Sequence, residues 1–359
     1  MIVKSLKLNQ FRNYESLQLS FDKGTNLFYG NNAQGKTNIL EAVYLCGTTK
    51  SHKGSKDREM IRFGEEEAHI RMAISRSQSA YEIDMHLKKN RPKGIAVNGV
   101  PIRKAAELLG IANFVFFSPE DLGIIKNGPA ERRRFIDMEL CQLDKLYLHE
   151  LSNYNKVIIQ RNKLLKECSF NSQYEEMLDI WDMQLVKYGK KLESRERFVE
   201  ELGVIVAEIH RNLTGGREEL MVRYEKNVSA DEFERKLQTS RKRDLKVKMS
   251  MTGPHRDDLL FEVKGVDIRR FGSQGQQRTA ALSLKLAEIE LVKRAIKDTP
   301  VLLLDDVLSE LDSSRQQYLL DSIHDIQTLI TCTGIDDFIE NKFQLNKVFH
   351  VADGVVCEG

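Results

Sequence analysis

Eight residues constrain this chain more than any other stretch: Gly30-Asn31-Asn32-Ala33-Gln34-Gly35-Lys36-Thr37 fills every fixed position of the pattern G-x-x-x-x-G-K-[ST]. The apolar run Asn26-Leu27-Phe28-Tyr29 before it reads as a strand, and the segment Asn38 to Leu45 after it has helical spacing. A strand, a tight loop and a helix in that order make a phosphate cradle. Glycine at 30 and 35 permits backbone angles that turn successive N–H groups inward, and the helix N-terminus adds its dipole. Lys36 is expected to reach the β- and γ-phosphates of ATP, and the Thr37 hydroxyl is expected on Mg²⁺.

A second motif fits the first. Val301-Leu302-Leu303-Leu304-Asp305-Asp306 reads as a buried parallel strand that carries a carboxylate to the sheet edge, with Asp305 on the metal side. Kinases and small GTPases share both motifs, so the residues beyond Asp305 must decide the class. Asp306-Val307-Leu308-Ser309-Glu310-Leu311-Asp312 resembles the ABC-type run L-L-D-E-P-x-S-x-L-D, and Ser273-Gln274-Gly275-Gln276-Gln277 resembles the ABC signature S-G-G-Q. The resemblance implies that Ser273, Gly275 and Gln276 cap the γ-phosphate held by a second copy, giving an ATP-dependent homodimer. Three positions depart from that pattern. Asp306 stands where the water-positioning Glu is usual, one methylene shorter, and so suggests slow hydrolysis. Gln274 replaces the first signature glycine, and Cys332 replaces the switch histidine.

At 359 residues the chain exceeds the usual single-core limit. Alternating segments at 68–75, 81–87 and 95–97, with Asn98-Gly99 between strands, make the N-terminal third mixed α/β. From about Pro129 to Arg211 the pattern turns helical. Leu140, Leu143, Tyr147, Leu151, Tyr154 and Ile158 form one stripe. Leu178, Trp181, Leu185, Tyr188, Leu192, Val199, Leu202, Val206 and Ile209 form another, broken by Arg195. A helix from 130 to 167 would be about 55 Å long, so the stripes predict an antiparallel hairpin arm. The expected fold is therefore an α/β ABC-type P-loop head (1–118 and 246–359) split by a helical arm domain (119–245), with the basic run Arg241-Lys242-Arg243 near its end.

No apolar run approaches the roughly 20 residues needed to span a bilayer, and the opening residues lack a signal-peptide pattern, so a cytoplasmic location is expected. Cys46, Cys141, Cys168, Cys332 and Cys357 are scattered, with no C-x-x-C pair and no Cys/His spacing typical of zinc. Reduced, mostly buried thiols are expected.

Five further stretches resemble the RecF family: Phe11-Arg12-Asn13-Tyr14, Ser118-Pro119-Glu120-Asp121-Leu122, Gly128-Pro129 with Arg132-Arg133 and Phe135-Ile136-Asp137, Thr252-Gly253-Pro254-His255-Arg256-Asp257-Asp258, and Leu308 to Asp312. They span nearly the whole chain. The resemblance implies ATP-dependent binding of double-stranded and gapped DNA in recombinational repair, with RecR and RecO as partners in placing RecA at single-strand gaps. It also implies that Arg12 contacts nucleotide. Arg132 and Arg133 read equally well as helix-surface charges paired with Glu131 and Asp137. The net charge of +2 is too small to argue for a polyanion, so DNA contact is expected from a local patch: Lys50, His52, Lys53, Lys56, Arg58 and Arg62. No aromatic is interleaved there, so duplex backbone binding is favoured over base stacking. An SMC-like tether would need far longer coiled coils, and a transporter subunit would need a more compact helical insert. A non-hydrolysing ATP-dependent scaffold stays open at this stage.

Overall fold

The computed structural model describes residues 1–77, 79–167, 176–334 and 344–359; Cys168 lies outside them. The chain divides into two compact units, Met1–Asp121 with Glu288–Gly359, and Leu122–Ala287.

The first unit contains two six-stranded sheets. One is antiparallel, with strands in the order Tyr14–Ser20 (β2), Ile2–Phe11 (β1), Glu67–Arg76 (β4), Ser79–Lys88 (β5), Arg91–Val97 (β6) and Val100–Pro101 (β7). Its alternation is that of a sheet with one wet face: Ala68, Ile70, Met72 and Ile74 point inward, while His69 and Arg71 point out. Asn98 and Gly99 both have positive φ, 51° and 75°, and make the tight turn expected of that dipeptide. The other sheet runs Val355–Glu358 (β15), Lys347–Ala352 (β14), Thr25–Tyr29 (β3), Thr328–Cys332 (β13), Val301–Asp305 (β12) and Phe114–Phe117 (β8), all parallel except β15. Helices Lys36–Thr48 (α1), Asp57–Met60 (α2) and Ser313–Ser322 (α11) belong to this unit. Leu40 and Val43 of α1 share one buried core with Leu8 and Met72 of the antiparallel sheet and Phe28 and Phe349 of the parallel one. The core thereby fixes α1, and with it the loop ahead of it.

The second unit holds Leu122–Lys126 (α3), Pro129–Leu143 (α4), Lys145–Glu167 (α5), Leu178–Gly189 (α6), Ser194–Leu213 (α7), Phe233–Val247 (α8), Ile268–Phe271 (α9) and the first part of Gln274–Ile296 (α10). A three-stranded antiparallel sheet completes it, Val266–Asp267 (β11), Asp258–Val263 (β10) and Leu220–Glu225 (β9).

One expectation needs correcting. The continuous helix from 130 to 167 is broken at Asp144, whose backbone is extended and whose carboxylate accepts the Leu146 N–H at 2.7 Å, starting a new helix. A 3-10 turn at Lys190–Glu193 likewise separates α6 from α7. β9 pairs with β10 along its whole length, so residues 246–287 pack in the same compact unit as 122–245. Arg195, which interrupts the apolar stripe, is buried and paired with Asp137 at 2.8 Å. Cys46, Cys141 and Cys332 are buried and Cys357 is exposed. Among the described residues, no helix is long and apolar enough to cross a membrane.

Candidate nucleotide site and cationic patch

β3 ends at Tyr29 and the chain leaves the sheet through Gly30 at φ 148°, where a Cβ would run into the Val351 carbonyl oxygen. Ala33 and Gly35 follow in positive φ, 65° and 111°. These reversals close the loop spanning Asn31, Asn32, Ala33 and Gln34 before α1 begins at Lys36. The loop is also held from outside, by contacts that the motif did not disclose. Asn13 Nδ2 donates to the Gln34 carbonyl at 2.9 Å, the Tyr14 hydroxyl donates to the Gly35 carbonyl at 3.0 Å, and Asn38 Nδ2 donates to Asn13 Oδ1 at 2.8 Å. The turn between β1 and β2 is thus a buttress for the phosphate loop.

Lys36 is 7% exposed, and its Nζ donates to the Gly30 and Asn31 carbonyls at 2.6 and 2.7 Å. Burial lowers its pKa, against the opposing pull of Asp306 and Asp305. The parallel register sets Cys332 beside Tyr29 and Thr331 beside Asp305, which brings the end of β12 to the loop. There the Thr37 and Thr331 hydroxyls both donate to Asp305 Oδ1 at 2.7 Å. A hydroxyl and a carboxylate on one spot are hard oxygen donors of the kind Mg²⁺ takes, so the residues fit that ion. Asp306 has φ 53°, a strained angle for a non-glycine residue, and its N–H donates to Thr331 Oγ1 at 3.0 Å. Its Oδ1 is buried with no hydrogen-bond partner among the described residues, and burial raises its pKa. Such a carboxylate can take a water as its missing partner. Cys332 Sγ is 2.7 Å from the Gly334 carbonyl, turned into the backbone.

The Arg12 guanidinium makes four hydrogen bonds within its own unit. It forms a two-point pair with Glu41 at 2.7 and 2.8 Å and donates to the Glu59 carbonyl and to Ser55 Oγ. In this arrangement it anchors α1 to the 55–59 segment, where the resemblance implied a nucleotide contact.

In the second unit, the Ser273 N–H donates to Gln276 Oε1 at 2.9 Å and the Gln276 N–H to Ser273 Oγ at 3.2 Å, a reciprocal capping box at the start of α10. Gln276 Nε2 donates to Glu218 and Gln277 Nε2 to the Ile268 carbonyl. Ser273, Gln274 and Gly275 remain exposed.

Of the six residues expected in a DNA patch, Lys50, Lys53, Lys56 and Arg58 are exposed. Of the two acidic residues in this run, Asp57 is taken up by Lys93 at 2.8 Å, and Glu59 accepts the Lys56 N–H at 3.0 Å. The other two correct the expectation. Arg62 is paired with Glu15 at 3.3 Å, and His52 stacks on Phe116 with ring centroids 3.9 Å apart, its pKa lowered to about 4 by burial, so it is neutral at pH 7. An aromatic does border the patch: Phe63, directly after Arg62, is fully exposed.

A family model described as RecF/RecN/SMC N terminal domain matches residues 2–356. A DNA replication and repair protein RecF from Agathobacter rectalis is 62% identical over 357 residues, covering 99% of each chain. The chain belongs to the RecF family. A RecF of Lachnospira eligens is 60% identical over 99% of both chains. Among solved structures, a recombination mediator protein RecF-ATP in the RecFOR pathway superposes with a TM-score of 0.93 at 36% identity, covering 99% of this chain and 97% of the other. An Smc head bound to the C-winged helix domain of ScpA gives 0.59 at 17% identity, which shows a shared fold.

Two of the RecF-like motifs meet inside the second unit. Arg132, 1% exposed, forms a two-point pair with Asp258 at 2.6 and 3.2 Å and donates to the Ile124 and Asn127 carbonyls. Arg133 donates to the Asp257 carbonyl at 2.6 Å. Neither arginine is the helix-surface charge paired with Glu131 or Asp137 that its spacing allowed; Asp137 pairs with Arg195 instead. These RecF-like residues are structural ties between the start of α4 and the 254–258 turn.

Proposed function

We propose that this chain is an ATP-operated, DNA-binding protein of recombinational repair and replication-fork recovery, whose nucleotide sites are completed by a second copy. The observation that carries this reading is the Lys36, Thr37 and Asp305 constellation built within one unit while Ser273, Gln274 and Gly275 stand exposed in the other. Relatives described as DNA replication and repair proteins, and a solved relative described with ATP in the RecFOR pathway, support it.

In this account the loop from Gly30 to Thr37 presents its backbone N–H groups to the phosphates. Lys36 exchanges its two carbonyl partners for phosphate oxygens. Thr37 and Asp305 would hold Mg²⁺, which neutralises phosphate charge when bound. Asp306 orients the attacking water, and its short side chain keeps hydrolysis slow. Ser273, Gly275 and Gln276 of a second copy cap the γ-phosphate, so that ATP closes the dimer and hydrolysis reopens it. Lys50, Lys53, Lys56 and Arg58 contact duplex phosphates at a gap. RecR and RecO are the partners through which RecA is placed, and the work is cytoplasmic.

Equilibrium binding to a gapped duplex, measured across a salt series with ATP or ADP, tests the reading. ATP is expected to tighten binding. Lys53→Glu with Lys56→Glu is expected to weaken it and to reduce the salt slope by about two, given about 0.9 per phosphate contact. Equal affinity with ATP and ADP overturns the switch, and an unchanged salt slope removes this patch.

A further inference from the structure

On the outward face of the antiparallel sheet, β4 and β5 assemble a set of donors that belongs to neither the nucleotide site nor the cationic patch. Glu67 and His69 are two residues apart on β4 and therefore share a face, and the register places His86 of β5 directly across from His69. His86 Nε2 lies 2.9 Å from Glu67 Oε2, and His69 Nε2 lies 3.8 Å from Glu67 Oε1. The two imidazoles stack with centroids 3.9 Å apart. One donor atom from each of the three residues lies within 4.8 Å of the other two.

We propose that Glu67, His69 and His86 bind a zinc-class divalent transition-metal ion. Metal–ligand bonds of about 2.0–2.2 Å in a tetrahedral arrangement place neighbouring donors roughly 3.4 Å apart. Closing from 4.8 Å requires the two rings to leave their stack and turn their Nε2 edges toward one another, which exposed or half-exposed side chains on a fixed pair of strands can do. The other faces of both strands are buried, through Ala68 and Ile70 on β4 and Met85 and Leu87 on β5. Two imidazoles and one carboxylate favour zinc, nickel or copper over Mg²⁺, so this site differs in chemistry from the one at Thr37 and Asp305. The nearest competing cation is Lys88, 3.9 Å from Glu67 Oε2, which the metal would displace. His69 and His86 also line a depression of about 640 Å³, which leaves room for water or a further ligand on the open side of the ion. No Cys/His spacing along the chain announced this, because the third donor comes from the neighbouring strand.

The test uses the full, untagged chain, freed of metal with a chelator and kept without nucleotide. Titration with Co²⁺, read by its d–d absorption, should give one equivalent per chain that Zn²⁺ then displaces. His69→Ala and His86→Ala should each weaken binding at least tenfold, and Zn²⁺ should raise the melting temperature of the unaltered chain but not of the double variant. Melting curves without metal check that the variants fold. Wild-type stoichiometry and affinity in the double variant would overturn the proposal, as would no binding by the unaltered chain below millimolar metal.

Discussion

His52 is held neutral by its surroundings, stacked on Phe116 and edge-on to Tyr44, with its pKa lowered to about 4 by burial. Its folded pKa lies below the unfolded value of 6.5, so as pH falls the unfolded chain takes up the proton first. The stabilisation is present above pH 6.5 and is lost as pH falls toward 4, at roughly 1.4 kcal/mol for each pH unit. His255 in the second unit follows the same rule. The urea midpoint is therefore expected to drop between pH 6.5 and 4.5, and His52→Phe, which keeps a ring on Phe116, is expected to flatten that drop. An identical slope in the variant would contradict it. The 50–62 run reads from sequence as a patch of cations, yet nothing in that run reveals Phe116, which arrives from β8. Arg12 and Glu41 are hidden in the same way, since their pairing needs β1 and α1 to be brought together first. Lys36, Thr37 and Asp305 were readable because their motifs dictate backbone geometry as well as residue type.

The break at Asp144 leaves no mark on the apolar stripe of α4 and α5: Leu140, Leu143, Tyr147 and Leu151 keep three- to four-residue spacing straight across it, so spacing alone predicts one helix. Asp144→Ala removes the acceptor for the Leu146 N–H and is expected to cost about 1 kcal/mol, measured as a shift in the denaturant midpoint. No shift would mean that the cap contributes nothing to α5. A buried ionic junction also ties the helices together. Arg161 of α5, fully buried, pairs with Asp182 of α6 at 2.6 Å and with Asp244 of α8 at 2.7 Å. The heptad pattern carries only the apolar residues around it. β9 is hard to read from the sequence because six residues of alternation are easily lost beside a long helical pattern. The strands of the antiparallel sheet were easier, because one buried and one wet face leave a clean alternation in the sequence.

For the molecule as a whole, we propose that ATP acts as a reversible clamp between two copies. In this proposal each copy contributes both halves of the machinery, the Lys36 side and the Ser273 side, and a site closes only where two copies meet. A mixture of two defective proteins separates this from a site completed within one chain. Lys36→Met spoils the phosphate loop, and Ser273→Arg blocks the signature turn. A mixed dimer keeps one interface in which an intact Lys36 faces an intact Ser273. The measurement is DNA-stimulated ATP hydrolysis by each variant and by the mixture, with subunit exchange verified independently. The two variants are expected to be inactive alone and the mixture to recover part of the activity; an inactive mixture of exchanging dimers would rule out the shared site.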